Sequence, residues 1–74
     1  MSRLLRMDSS GHTELASWTD GDAGSYQRAA SIFEEQLHGG YMGVAKLRDQ
    51  SFEQVKSLPV DVEYVLLRRP IVGG

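Results

Sequence analysis

The 74-residue sequence contains no cysteine, which excludes disulfides, thiolate metal sites and a cysteine nucleophile. Small secreted domains usually depend on disulfides or a bound metal for stability, so the lack of cysteine predicts a cytoplasmic protein. No stretch approaches the roughly 20 consecutive apolar residues of a membrane span, and the amino-terminal segment MSRLLRMDSSGH lacks the apolar region of a signal peptide. We therefore expect no membrane association.

An excess of basic residues is also missing. Eight Lys and Arg residues are spread among ten Asp and Glu residues, the formal net charge is -2, and no basic stripe is present. Nucleic acid is therefore not expected as a partner. The two histidines, His12 and His38, have no partner at a metal-ligand spacing, so we expect no metal and no bound cofactor. Turn and helix-cap roles explain the loop carboxylates better than acid–base chemistry does, so the chain is not expected to be an enzyme.

The composition that remains is that of a folded domain. Hydrophobic residues make up 41% and charged residues 24% of the chain, which is ordinary for a globular protein. The length allows one domain, predicted over residues 1–70, with a core made of one helical layer on one sheet or of a small bundle. Residues 71–74 are predicted to form a flexible carboxyl-terminal tail.

Two short apolar runs near the amino terminus flank the polar segment DSSG. Such a pair predicts a β-hairpin with strands over residues 3–7 and 12–18. Because side chains alternate across a strand, Leu5 and Met7 are expected on one face of the sheet and Leu4 on the other.

The next segment predicts one amphipathic helix over residues 23–38. Asp20 or Asp22 can cap its first turn, and Gly39 is well placed to take the left-handed conformation that ends many helices. Apolar residues recur at helical spacing on one face, namely Tyr26, Ala29, Ala30, Phe33 and Leu37.

Three further strands are predicted over residues 41–47, 52–55 and 60–69. The run Val65-Leu66-Leu67 is apolar on both faces, which is typical of a central strand buried on both sides, and Pro70 cannot continue the ladder. The element order β-β-α-β-β-β predicts an α+β fold with one helix packed across a mixed sheet of four or five strands. Parallel pairing of the last strand with the first would give the β-grasp topology.

The sequence closes on PIVGG. Glycine has no Cβ, so Gly73 and Gly74 can pass through a channel too narrow for other residues and leave a terminal carboxylate open to attack. From Pro70 to Gly74 an extended chain reaches about 15 Å at ~3.3 Å per residue. That distance suffices to carry the carboxylate away from a folded body.

In its length, its order of elements and its final segment LLRRPIVGG, the chain resembles the ubiquitin-like β-grasp family. Leucines and arginines ahead of two glycines are similar to the ubiquitin tail. A proline and two aliphatic residues ahead of Gly-Gly are similar to the tails of the small sulfur carriers of molybdopterin and thiamine synthesis. The resemblance rests on architecture and on the tail motif.

This resemblance implies chemistry at the carboxyl terminus. In the family, a partner activating enzyme uses ATP to convert the terminal carboxylate to an acyl-adenylate. The acyl group then passes to an enzyme cysteine as a thioester, or becomes a thiocarboxylate. Carried over to this chain, the family's chemistry would make Gly74 the reacting residue, and Gly73 would precede it without a side chain. The residues that would bind partner enzymes are Arg68, Arg69, Ile71 and Val72.

Three functions remain open on the sequence. The first is a protein modifier joined through Gly74 to target proteins by a conjugating enzyme. The second is a sulfur carrier that delivers sulfur from a Gly74 thiocarboxylate to a biosynthetic acceptor. The third is a small non-catalytic interaction module with a passive tail, binding through its helix or sheet. Leu4, Val44 and Leu66 are candidates for an exposed patch on that sheet.

Overall fold

A computed structural model describes residues 1–70 of the chain. One helix packs across a five-stranded mixed sheet, and the elements follow the predicted order. Their bounds are β1 (Ser2–Asp8), β2 (Gly11–Trp18), α1 (Ala23–His38), β3 (Met42–Lys46), β4 (Phe52–Val55) and β5 (Tyr64–Arg68).

The strands lie in the order β2-β1-β5-β3-β4. Strand β5 pairs in parallel with β1 and antiparallel with β3, so the last strand occupies the centre of the sheet. The two hairpins, β1–β2 and β3–β4, are antiparallel and form the flanks. This arrangement confirms the predicted α+β fold of the β-grasp type.

The helix begins and ends where its apolar spacing predicts. Asp22 caps the amino end by accepting a hydrogen bond from the Ser25 backbone N–H at 3.2 Å. Gly39 follows the last turn, but its φ of -83° is not left-handed, so that part of the prediction was wrong. Gly40 takes the left-handed conformation instead, with φ of +97°.

The core lies between the helix and one face of the sheet. Helix residues Ala29 and Phe33 are fully buried there. The remaining buried apolar residues come from strands β1, β2, β3 and β5 and from the loop before β5. They are Leu4, Trp18, Ala45, Leu58, Val62, Val65 and Leu67.

Strand β5 is shorter than predicted and begins at Tyr64 instead of residue 60. The carbonyls of the preceding loop are bound by side chains, so they do not need a strand partner. Ser2 Oγ donates to the Val62 carbonyl at 2.7 Å, and Trp18 Nε1 donates to the Val60 carbonyl at 2.9 Å.

The helix covers only one face of β5. Val65 and Leu67 are fully buried beneath it, whereas Tyr64, Leu66 and Arg68 on the other face are half-buried by neighbouring strands. The prediction that this strand is buried on both sides was therefore correct for one face only.

Candidate functional site

The end of β5 is the part of the fold that carries the predicted site. Arg68 is the last strand residue and pairs with Met42 of β3, and Arg69 and Pro70 follow it outside the ladder. The other site residues predicted from sequence lie outside the described residues, namely Ile71, Val72, Gly73 and Gly74.

The two arginines do not act as one unit. Successive residues of an extended chain point to opposite faces of a sheet. Arg68 is half-buried on the uncovered face, the side of Leu66, whereas Arg69 is exposed and lies over the Tyr41 ring. Each guanidinium therefore approaches the end of the sheet from a different side.

Tyr41 contacts both the helix and two arginines at this end of the molecule. Its backbone N–H donates to the Gln36 carbonyl in the last turn of the helix at 3.0 Å. The Cζ atom of Arg69 lies 4.8 Å from the centre of the Tyr41 ring, and that of Arg6 lies 5.7 Å from it. One half-buried aromatic ring thus contacts two cations.

Arg6 is held in place on β1 by two further neighbours. Its Nη1 donates to Gln36 Oε1 at 3.5 Å, and its Nε lies 3.9 Å from Asp8 Oδ2, which is beyond hydrogen-bond distance. That Nε atom is buried and has no hydrogen-bond acceptor within residues 1–70. The guanidinium therefore brings positive charge beside Tyr41 that Asp8 offsets incompletely.

A cavity of about 380 Å³ opens between the β1–β2 turn and the end of β5. Among the residues that the structure describes, Asp8 contributes the only acidic side chain of its wall. Hydrogen bonds from the Ser10 hydroxyl and backbone N–H hold the pKa of Asp8 below its ordinary value, so this carboxylate is charged at neutral pH. The lining residues are Met7, Asp8, Ser9, Tyr41, Arg68 and Arg69.

A second cavity, of about 250 Å³, lies beside the start of the helix and is almost wholly apolar. Its one carboxylate, Asp22, already accepts the capping hydrogen bond from Ser25. The Tyr26 hydroxyl in its wall donates to the Leu58 carbonyl. The first bond caps the helix and the second joins the helix to the loop before β5, so both have a structural role.

The uncovered face of the sheet carries a mainly apolar centre. Val44 and Leu66 lie there and are half-buried, as does Leu5. Leu4 was predicted as part of an exposed patch, and that prediction was wrong, because Leu4 is fully buried under the helix. Met7, on the same face, is 42% exposed.

Sequence reasoning missed Arg6, Asp8 and Tyr41 as members of the site. Asp8 ends β1 where the hairpin turn was predicted, whereas Tyr41 lies just before β3, which begins at Met42, so the prediction of a strand from residue 41 was wrong there. The proximity of these residues to Arg69 depends on how the strands pair, including the register between β3 and β5. No local pattern in the sequence encodes that register.

No helix within residues 1–70 is long and apolar enough to cross a membrane. In the same part of the chain, no three His, Asp or Glu side chains come together as metal ligands would. The chain matches no protein-family model, no curated protein and no solved structure.

Proposed function

We propose that this protein is a ubiquitin-like modifier whose Gly74 carboxylate is adenylated by a partner enzyme at the expense of ATP and then joined to target proteins. The observation that carries the proposal is the position of β5. This strand lies at the centre of the sheet and ends at Arg68, and the segment PIVGG stands close behind it in the sequence.

The physical requirement is a main chain that can enter an enzyme site end first. Pro70 has no N–H and cannot extend the ladder, and it disfavours a helical conformation at Arg69. Gly73 and Gly74 present no side chain to the walls of such a site. Arg68 and Arg69 carry charges that suit carboxylates on the activating enzyme.

The chemistry needs no nucleophile from this chain. The Gly74 carboxylate attacks the α-phosphorus of ATP, with loss of pyrophosphate, and a cysteine of the partner displaces AMP to give a thioester. A lysine amine of the target then displaces that thiol and forms the isopeptide bond. The absence of cysteine from the chain is compatible with this sequence of steps.

Mass spectrometry of the protein isolated from the cells that make it provides the test. Trypsin cuts after arginine but not before proline, so digestion should leave the segment 69–74 attached to each modified lysine. A variant that lacks Gly74 should yield no such peptides. An Arg28→Gln variant, changed on the exposed face of the helix, should yield them as the unaltered protein does.

The same measurement separates the sulfur carrier from the modifier. The segment PIVGG favours the carrier, whose terminal carboxylate would gain the mass of an oxygen-to-sulfur exchange and would form no isopeptide bond. If the unaltered protein shows neither product and deletion of Gly74 leaves its binding partners unchanged, the proposal is wrong. That result would favour the interaction module with a passive tail.

A further inference from the structure

We infer that the cavity at the end of β5 binds an acidic side chain, Asp or Glu, of a partner protein, and that Tyr41 is the residue that positions Arg69 for this contact. The inference rests on the proposed function, because it names the surface next to the tail that the partner enzyme would bind. The cavity itself is formed by residues of the folded domain.

The charges at this end of the molecule favour an anionic ligand. Arg68 and Arg69 line the cavity together with Asp8, which contributes the one carboxylate that residues 1–70 place in its wall, and Arg6 lies 3.9 Å from that carboxylate. Within residues 1–70, neither Arg68 nor Arg69 forms an ion pair. The site is therefore locally positive on a chain whose formal net charge is -2.

The contact between Arg69 and Tyr41 leaves the guanidinium able to bind. A cation over an aromatic ring interacts through its face, while the N–H donors of a guanidinium lie in its own plane. Arg69 can therefore contact Tyr41 and donate two parallel hydrogen bonds to a carboxylate. A side chain at Gly40 would meet Arg69 Nη1 at 3.6 Å, so the guanidinium also lies close to this turn.

Carboxylate is a better match than phosphate for this site. Protein sites for phosphate commonly use the free backbone N–H groups at the start of a helix. The helix end next to Tyr41 is the carboxyl end, whose partial charge is negative. Asp8 would also repel a doubly charged phosphate more strongly than a single carboxylate. The planar guanidinium of Arg69 can donate two parallel hydrogen bonds, which suits a planar carboxylate.

The test is a titration of the full chain, followed by NMR, with a peptide of six glutamates and with a matched peptide of six glutamines. The glutamate peptide should shift the amide signals of Tyr41, Ser9 and Arg69, and the glutamine peptide should not. Binding should weaken as salt is added. Arg69→Gln should weaken binding roughly three- to tenfold, whereas Arg28→Gln, which removes the same charge elsewhere, should not.

Variants of Tyr41 test the positioning role. Tyr41→Phe keeps the ring and should bind as the unaltered protein does, whereas Tyr41→Leu should lose binding to about the same extent as Arg69→Gln. Urea unfolding of each variant is the control that checks whether the fold persists. Because Tyr41→Leu could also loosen the turn, the Arg69→Gln and Tyr41→Leu changes are combined, and the double variant should bind no more weakly than either single variant.

Three results would overturn the inference. The first is signal shifts that spread evenly over all cationic residues, including Arg28 and Arg48. The second is tighter binding of inorganic phosphate than of the glutamate peptide at equal ionic strength. The third is unchanged binding in Tyr41→Leu. Since the titration contains neither ATP nor an enzyme, it can fail while Gly74 is still activated, and it can succeed if Gly74 is not.

Discussion

Gly43 lies in β3 where the ring of Phe33 comes closest to the sheet. A Cβ at this position would be 2.7 Å from Phe33 Cε1 and 3.4 Å from Val55 Cγ2. Glycine at this position therefore allows the helix side chain to pack directly against β3. Phe33 is fully buried, so the ring has little room to move aside.

We therefore expect Gly43→Ala to lower the free energy of unfolding by about 1–3 kcal/mol, because the added methyl group overpacks the core. Gly24→Ala is the matched control, since a Cβ there meets only Asp22 Oδ1 at an ordinary 3.5 Å. That change should raise the stability by about 0.4–1 kcal/mol. Urea unfolding measures both, and equal effects of the two changes would contradict this account.

Single residues also show how far the sequence could predict the site. Alternation placed Leu4 and Leu5 on opposite faces, which is correct. It could not decide which face the helix covers, because both side chains are equally apolar. Likewise, Arg69 was identified from its place ahead of the tail, whereas its neighbour Tyr41 depends on strand register and was not.

At the scale of elements, the turns of the two hairpins contain the same pattern of hydrogen bonds between an aspartate and a serine. In the β1–β2 turn, Asp8 Oδ1 accepts hydrogen bonds from the backbone N–H and the hydroxyl of Ser10. In the β3–β4 turn, Asp49 Oδ1 accepts the same pair of bonds from Ser51. These bonds, the hydroxyl bond first, lower the pKa of both carboxyl groups below the ordinary value.

This lowering makes both turns sensitive to acid. A carboxyl whose pKa is lower in the folded state contributes stability above its unfolded pKa of about 3.9 and loses that contribution as the pH falls through the folded value. We expect the unfolding free energy to fall as the pH is lowered below about 5, and to fall less in the variant Asp8→Asn/Asp49→Asn. An equal fall in the two proteins, measured by urea unfolding, would contradict the assignment.

The elements were predicted better than their ends. The helix agrees from residue 23 to 38 because its apolar spacing and its cap act locally. Strand β5 was predicted to begin four residues too early, since Val60 and Val62 look like strand residues. Ser2 and Trp18, far away in the sequence, bind the carbonyls of that loop, and no local pattern reveals such partners.

At the scale of the whole molecule, the core formed by residues 1–70 ends in β5. The last fully buried residue among those described is Leu67. A chain shortened after Pro70 should therefore keep its unfolding free energy to within about 0.5 kcal/mol, as changes outside a core usually do. Leu67→Ala in the full chain should lose about 2–5 kcal/mol.

Urea unfolding of the two proteins tests the predicted division into a domain over residues 1–70 and a tail over residues 71–74. A loss above about 1 kcal/mol on shortening would assign the last four residues to the domain. With an unchanged fold, the shortened chain also becomes the reference for the glutamate titration. Its affinity then reports on the cavity alone.

The parallel pairing of β1 with β5 has a consequence for synthesis. Arg3 pairs with Tyr64 and Arg6 with Leu67, so the first strand made is joined to the last. Strand β3 likewise has only β4 and β5 as neighbours. Until β5 is available, the β1–β2 hairpin and the β3–β4 hairpin have no strand to join them. Folding must then wait for the final strand, and the nascent chain exposes its apolar surfaces until that strand emerges.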